Sequence, residues 1–361
     1  MNSTIGLDVE FRPIPIPERI DAPDAADFVE MTRVRNEVYR EIEGGDDSAR
    51  TPQELLPHYR PSAHETRVLL GVLVDGRLVG RIGVDIPHEE GSRVAYWQIE
   101  LLRSHHGRGI GRAAYRLVEK TAIEHGRTVL QSWAQHSEAP GPRLDAPTGF
   151  GSVPLDRAAR FFLASGYTLE QIDRRSDLDL ASSRDTVDRL LDEARAASAG
   201  YRVVQWMAPT PREFREEFAW LKSRMSTDAP SAGMEIDEEA WDVERVIEND
   251  RRWTDGGRLV QVTAAQHEDS GRLVAFNELS IGEERTQATS QEDTLVLKEH
   301  RGHRLGLLVK CAGLVSWRDV APDSPKVITF NAEENRPMLD INEAIGFVPV
   351  AYEGAWKKVL A

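Results

Sequence analysis

Two segments carry residue types suited to holding an anion: HHGRGIGR at 105–112 and HRGHRLGL at 300–307. Each follows a β-rich run and opens a helical one. Such a turn leaves the first backbone N–H groups of the helix unpaired at the positive end of its dipole, a ready site for phosphate or pyrophosphate. Glycines let the backbone come close to such a group with no Cβ in the way. Arg108, Arg112, Arg301 and Arg304 add charge for a further phosphate. The plainer alternative is a glycine-rich helix start without a ligand, and two copies at matching positions weigh against it. Gly109, Gly111 and Ala114 fit the dinucleotide pattern GxGxxA, but the context does not: the turn follows an antiparallel-looking meander, and the second copy lacks GxG. His105, His106, His300 and His303 are too few at either turn for zinc, so no metal is expected.

The elements that must position these turns read as mixed α/β, twice over. In the first half, VEFRPIP (9–15) is a strand, about 23–42 a helix and 52–59 a shorter one. Residues 65–87 form two strands joined at Asp75-Gly76, a hairpin turn dipeptide. SRVAYWQIELL (92–102) leads into the first turn and its helix, then come a strand at 127–135, a helix DRAARFFLASG and a strand YTLEQIDRRSDLDL. Residues 181–200 read as a serine-capped linking helix ending at a glycine. The same order restarts at YRVVQWMAP and runs to FVPVAYEGAWKKVL. From Gly111 to Gly166 are 55 residues and from Gly306 to Gly346 are 40. The extra length falls in the Pro- and Gly-rich stretch 135–154, expected as an inserted loop. The expected domains are therefore 1–180 and 201–361, with 181–200 between them.

Length and composition agree with two cores in one chain. The 361 residues are 40% hydrophobic and 29% charged, with a formal net charge of −15. An acidic chain with no evident basic face is a poor partner for nucleic acid and suits cationic acceptors such as amines. No apolar run approaches the ~18 residues of a membrane span, and the start lacks the basic and apolar regions of a signal peptide. The single cysteine, Cys311, excludes a disulfide framework and reads as a small core residue. The expectation is a cytoplasmic protein, a monomer or a homodimer. Trp133, Trp206, Trp220, Trp241 and Trp253 read as core or as walls of an acceptor pocket.

His106-Gly107-Arg108-Gly109-Ile110-Gly111 and Arg301-Gly302-His303-Arg304-Leu305-Gly306 resemble the [Arg/Gln]-x-x-Gly-x-[Gly/Ala] signature of the GNAT superfamily of acetyl-CoA-dependent N-acetyltransferases. The first copy has His where Arg or Gln is usual, and the second has Arg304 where the middle glycine is usual. The helix from Asn335 to Gly346-Phe347, and Ala158 to Gly166-Tyr167 in the first half, are similar to the family's later motif. The resemblance covers the chain outside the linker and implies an α/β (α+β) fold of two tandem GNAT-like domains, each a mixed, mostly antiparallel sheet flanked by helices.

The resemblance also implies acetyl-CoA as cofactor and transfer to an amine of a small molecule or peptide. The pantetheine arm would lie where the fourth and fifth strands part, against Leu101 and Leu102 or against Leu295, Val296 and Leu297. The pyrophosphate would sit on His106 to Arg112 (with Gly107, Arg108, Gly109, Ile110 and Gly111) or on Arg301 to Gly306 (with Gly302, His303, Arg304 and Leu305). Asn331 and Asn335 could hydrogen-bond the pantetheine; strand-end turn and helix cap are their structural alternatives. The position of the family's thiolate-protonating tyrosine holds Phe162 in one half and Asn342 in the other. For the base that takes the amine proton, the candidates are Glu100 beside Gln98, and Glu292 and Asp293 beside Gln291. Strand alternation puts Gln98 with Glu100, and Gln291 with Asp293, on one face. A carboxylate amid VAYWQIELL is expected to titrate upward if buried, or else to face solvent. The fuller polar set (Asp293, Asn331, Asn335, Asn342) favours the second half for catalysis. A non-catalytic acyl-CoA-binding protein and transfer of another acyl group are the alternatives.

Overall fold

A computed structural model of the chain describes residues 8–228 and 230–360; residues 1–7, which include the start read for a leader, lie outside the described residues. In chain order the elements are β1 (Val9–Pro13), α1 (Ala26–Glu43), α2 (Pro52–Tyr59), β2 (Glu65–Val74), β3 (Arg77–Pro87), β4 (Val94–Leu101), α3 (Ile110–Glu124) and β5 (Val129–His136). There follow β6 (Arg143–Asp145), β7 (Ser152–Pro154), α4 (Arg157–Ala164), β8 (Thr168–Asp179), α5 (Arg184–Ala197) and β9 (Tyr201–Met207). The rest are α6 (Arg215–Asp228), α7 (Val243–Asp255), β10 (Leu259–His267), β11 (Leu273–Ile281), β12 (Thr289–Val296), α8 (Leu305–Val320), β13 (Lys326–Ala332), α9 (Arg336–Ile345) and β14 (Val348–Val359). Among the described residues no helix is long and apolar enough to cross a membrane.

These elements gather into two compact units, each made of separate stretches of chain. One holds Met1–Gln135, Ala158–Thr168 and Ala355–Ala361; the other holds His136–Arg157 and Leu169–Gly354. In the first unit the strands run in the order β1-β2-β3-β4-β5, with the end of β14 beside β5. The pairs from β1 to β4 are antiparallel, while β4 and β5 are parallel. Helices α1 and α3 pack on β3 and β4, and Phe28, Met31 and Leu56 with Ile14 and Leu69 make a buried cluster.

The second unit orders its strands β8-β13-β12-β11-β10-β9. Of the five pairs in that order, β12 with β13 is parallel and the other four are antiparallel. All nine residues of β11 are buried, because helices cover both faces of the sheet. On one side α8 comes so close that a Cβ on Gly313 would lie 3.2 Å from Thr263 and 3.3 Å from Asn277. On the other, Lys222 of α6 meets Glu278, and adjacent strand residues point to opposite faces. Trp317, Phe218 and Phe276 are the large side chains of this core.

Two local expectations are corrected. Residues 135–154 are not a plain loop: β6 and β7 pair as a hairpin, Leu144 opposite Val153, and pack with Leu169, Ile172 and Tyr352. Ser183 stands at the start of α5 without a side-chain cap bond, since Asp179 takes the neighbouring Ser182 through both its N–H and its hydroxyl.

Candidate functional site

Each unit contains a fork. Parallel strands β4 and β5 pair only at Val94, Ala95 and Tyr96, opposite Val129, Leu130 and Gln131. Beyond Tyr96, β4 stays paired with β3 as far as Leu101 but leaves β5. In the second unit β12 and β13 pair at Thr289–Val327 and Ser290–Ile328 and then part. Past that point β13 remains tied to β8, with Asn331 opposite Arg174. Unpaired strand edges facing one another across a gap offer backbone donors and acceptors to an extended ligand.

The outer strand of each fork runs straight into one of the anion turns. A short 3-10 turn, Arg103–His105 or Lys298–His300, precedes them. Gly107 (φ +77°) and Gly109 (φ +83°) take left-handed backbone in the first; Gly302 (φ +88°) and Arg304 (φ +53°) do so in the second. Arg304 adopts a conformation that costs a residue with a Cβ about 1–2 kcal/mol. The last left-handed residue caps the helix in both copies, so the N–H groups of its first turn point outward without intrahelical partners. The His106 ring hydrogen-bonds the Leu101 carbonyl at 2.8 Å, and Arg301 Nε donates to the Val296 carbonyl at 3.3 Å. These are equivalent bonds, from the first residue of the signature to the end of the strand. His106 therefore does structurally what Arg301 does, which accounts for the departure from the usual residue. Arg304 is exposed and reaches Glu193 at 3.4 Å.

Residues 31–140 match the acetyltransferase (GNAT) family profile. The solved structure of a tandem GNAT protein from the clavulanic acid biosynthesis pathway (without AcCoA) is similar over 98% of both chains, with 26% identity and a TM-score of 0.74. The chain has the fold of a tandem GNAT protein. A GCN5-related N-acetyltransferase from Sphaerobacter thermophilus, 15% identical, shares the fold over 97% of this chain and 95% of its own at a TM-score of 0.60. No curated protein matches the chain in sequence. Acyl transfer is the class of chemistry that the GNAT family supports.

Within this tandem GNAT framework the candidate acids have different fates. Glu100 is buried, but not free to act as a base. Arg81, opposite it on β3, grips both its oxygens, one at 2.9 Å. Burial opposes the charge on Glu100, yet Arg81 outweighs it and holds the carboxyl below the ordinary glutamate range, the reverse of the upward shift expected. In the second unit Asn277 stands opposite Thr294 and Leu279 opposite Gln291. Two β12 residues, Glu292 and Asp293, thus face the single β11 residue Glu278. This bulge breaks the alternation that was expected to put Gln291 and Asp293 on one face. Gln291 instead reaches over the mouth of the fork to Thr329 at 2.8 Å.

Asp293 accepts from Lys222 at 2.6 Å and keeps 39% of its side chain exposed. Lys222 also donates to Glu278 at 2.9 Å. Two carboxylates share one buried ammonium, so burial and the nearby Asp293 raise the Glu278 carboxyl while Lys222 opposes them. Glu292 accepts from Ser280 at 2.6 Å. The expected cofactor residues Leu101, Leu295 and Leu297 are buried, while Leu102 and Val296 are half-buried. Asn335 stands at the start of α9 but makes no side-chain cap bond. Asn342 is buried and donates to Asn331 at 2.7 Å. Phe162, its counterpart, stacks on Trp356 at 4.8 Å beside Trp97 and Tyr167. Trp206 is core, whereas Trp133 and Trp220 are exposed.

Sequence reasoning missed Glu278, Lys222 and Lys310. Lys310 Nζ donates to Asn342 at 2.9 Å from a fully buried position, and burial pushes its ammonium down to about 7. A lysine in the apolar run LGLLVKCAGLV was the available signal.

Proposed function

We propose that this tandem GNAT protein is an acetyl-CoA-dependent N-acetyltransferase, that its second unit carries out the transfer, and that the acceptor is an amine of a small molecule or peptide. The observation that carries this reading is the second fork: β12 leaves β13 after two residue pairs and runs directly into a turn of unpaired N–H groups. The residues there fit an acyl-CoA. Arg301, Gly302, His303, Arg304, Leu305 and Gly306 would hold the pyrophosphate, and Leu295 to Leu297 the pantetheine. Bound there, acetyl-CoA supplies an activated acyl carbon and a thiolate leaving group whose reference pKa of ~8.5 makes it stable enough to depart without a dedicated acid. Asp293 is the exposed end of the Lys222–Glu278–Asp293 cluster, where it attracts the acceptor ammonium. It takes the proton that must leave before the amine nitrogen attacks the acetyl carbonyl. The C–N bond would then form as the C–S bond breaks, the nitrogen's second proton passing to the departing thiolate to give the amide and the free thiol. Glu278, already raised by burial, is a second sink for that proton. The first unit, with Phe162 closed inside an aromatic cluster, fits acyl-CoA binding without transfer.

Native mass spectrometry of the chain with acetyl-CoA, followed over time for free CoA with and without an added primary amine, tests this. One or two cofactors bound and amine-dependent CoA release that Gly306→Glu removes are the expected result. No binding at high acetyl-CoA concentration would overturn it.

A further inference from the structure

Three side chains of the second unit form a hydrogen-bond chain that the proposed transfer does not use: Lys310 of α8, Asn342 of α9 and Asn331 of β13. Lys310 Nζ donates to Asn342 Oδ1 at 2.9 Å, and Asn342 Nδ2 donates to Asn331 Oδ1 at 2.7 Å. An ammonium has three donors and no acceptor, so it fixes the direction of everything after it. Asn342 must turn its oxygen to Lys310 and therefore its nitrogen to Asn331. Asn331 must turn its oxygen inward, which leaves its NH2 group facing away from the chain. Asn331 is half-buried and lies beyond the last β12–β13 pair, on the inner strand of the fork, with its backbone paired to Arg174 on the other side.

We propose that Lys310 is a positioning residue that locks Asn331 as a hydrogen-bond donor for a carbonyl oxygen of the acyl-pantetheine arm. This rests on the acyl-CoA reading of the second fork. A neutral amine has a lone pair, so deprotonated Lys310 lets the chain reverse, with Asn342 donating to it and Asn331 presenting oxygen to the fork. A carbonyl would then meet an acceptor instead of a donor. Burial brings this change close to neutral pH. Few charges act on Lys310. Its neighbour Cys311 is buried and has its thiol pushed up to about 12. On the elements packed around α8, Asp188 pairs with Arg318, Glu278 with Lys222, Asp340 with Arg336, and Glu343 with Arg174 and Arg336.

The test is calorimetric binding of acetyl-CoA to the full chain, reading the component that Gly306→Glu removes. From about pH 6 to about pH 8.5, wild-type affinity should fall by about tenfold more than that of Lys310→Met, which should be the weaker binder at the acid end. The turn histidines remain in both proteins, so the difference between the two profiles isolates Lys310. Asn331→Asp, at a half-buried position that folding tolerates better, presents only acceptors and should bind about tenfold more weakly across the range. An unchanged slope in Lys310→Met, or wild-type affinity in Asn331→Asp, overturns the proposal. A wild-type chain with no component sensitive to Gly306→Glu overturns the acyl-CoA reading together with it.

Discussion

Counted from Gly111 and Gly306, the turns and the strand ends that lead into them align residue against residue, and their contents differ position by position. Where β3 and β4 oppose Arg81 to Glu100, β11 and β12 oppose Phe276 to Leu295. Where α3 carries Tyr115 near Phe161 and Tyr167, α8 carries Lys310 bonded to Asn342. The first fork is straight and its charges neutralise one another within the core. The second has an extra β12 residue, which brings Asp293 to a half-exposed position beside Lys222. Charge in the first fork serves packing, and charge in the second remains reachable. One backbone plan can thus hold a buried ion pair or a solvent-accessible one, depending on whether the strand is bulged.

The contrast can be broken most strongly at Glu100. Glu100→Gln leaves Arg81 buried without its counter-ion and should cost about 3 kcal/mol of stability, read by denaturant unfolding, with amine acetylation unchanged per folded molecule. Because the folded carboxyl titrates below its unfolded value, its contribution is full above the ordinary glutamate range. It is lost as pH falls through the lowered folded value, so variant and wild type should converge in acid. In the second fork the balance reverses. Asp293→Asn should lower kcat by roughly a hundredfold with little change in melting temperature, and an unaltered kcat would remove Asp293 from the proposed reaction.

Lys310→Met sharpens the contrast, since it should stabilise the fold while weakening the fork. Burial lowers the folded ammonium to about 7 from an ordinary 10.5. The penalty is therefore full below about 7 and fades as pH rises toward 10.5. At acid pH the variant should gain roughly 2 kcal/mol, after allowing for the partner that Asn342 loses, and the gain should shrink in alkali. The smallest effect is expected at Arg304→Gly, which gives the second turn the first turn's residue at its left-handed position. It should add about 0.5–1 kcal/mol to stability, measured as a shift in unfolding midpoint.

The duplication was legible because its markers are local. Glycine turns at Gly107–Gly111 and Gly302–Gly306, and the helix ends at Gly166 and Gly346, follow from local backbone needs that glycine meets at least cost, with Arg304 the one departure at a left-handed position. The charge pairings were not legible. Glu100 is separated from Arg81 by 19 residues and Asp293 from Lys222 by 71, so burial alone suggested an upward shift where a partner imposed a downward one. The β12 bulge is likewise silent in TSQEDTLV, whose alternation reads as a regular strand. Lys310 was visible as a charge in an apolar helix, but its acceptor Asn342 lies 32 residues on. The hairpin at 143–154 was hidden by a composition that favours loops.

The division of the chain into units has a consequence for how the protein is made. The first unit includes residues 355–361, and β14 supplies a strand beside β5. A ribosome synthesising this chain exposes β1 to β5 well before β14, so β5 lacks that neighbour until all the intervening elements have been made. An earlier-made part of the unit is completed by a much later one, and its folding must wait for, or be revised at, the appearance of β14.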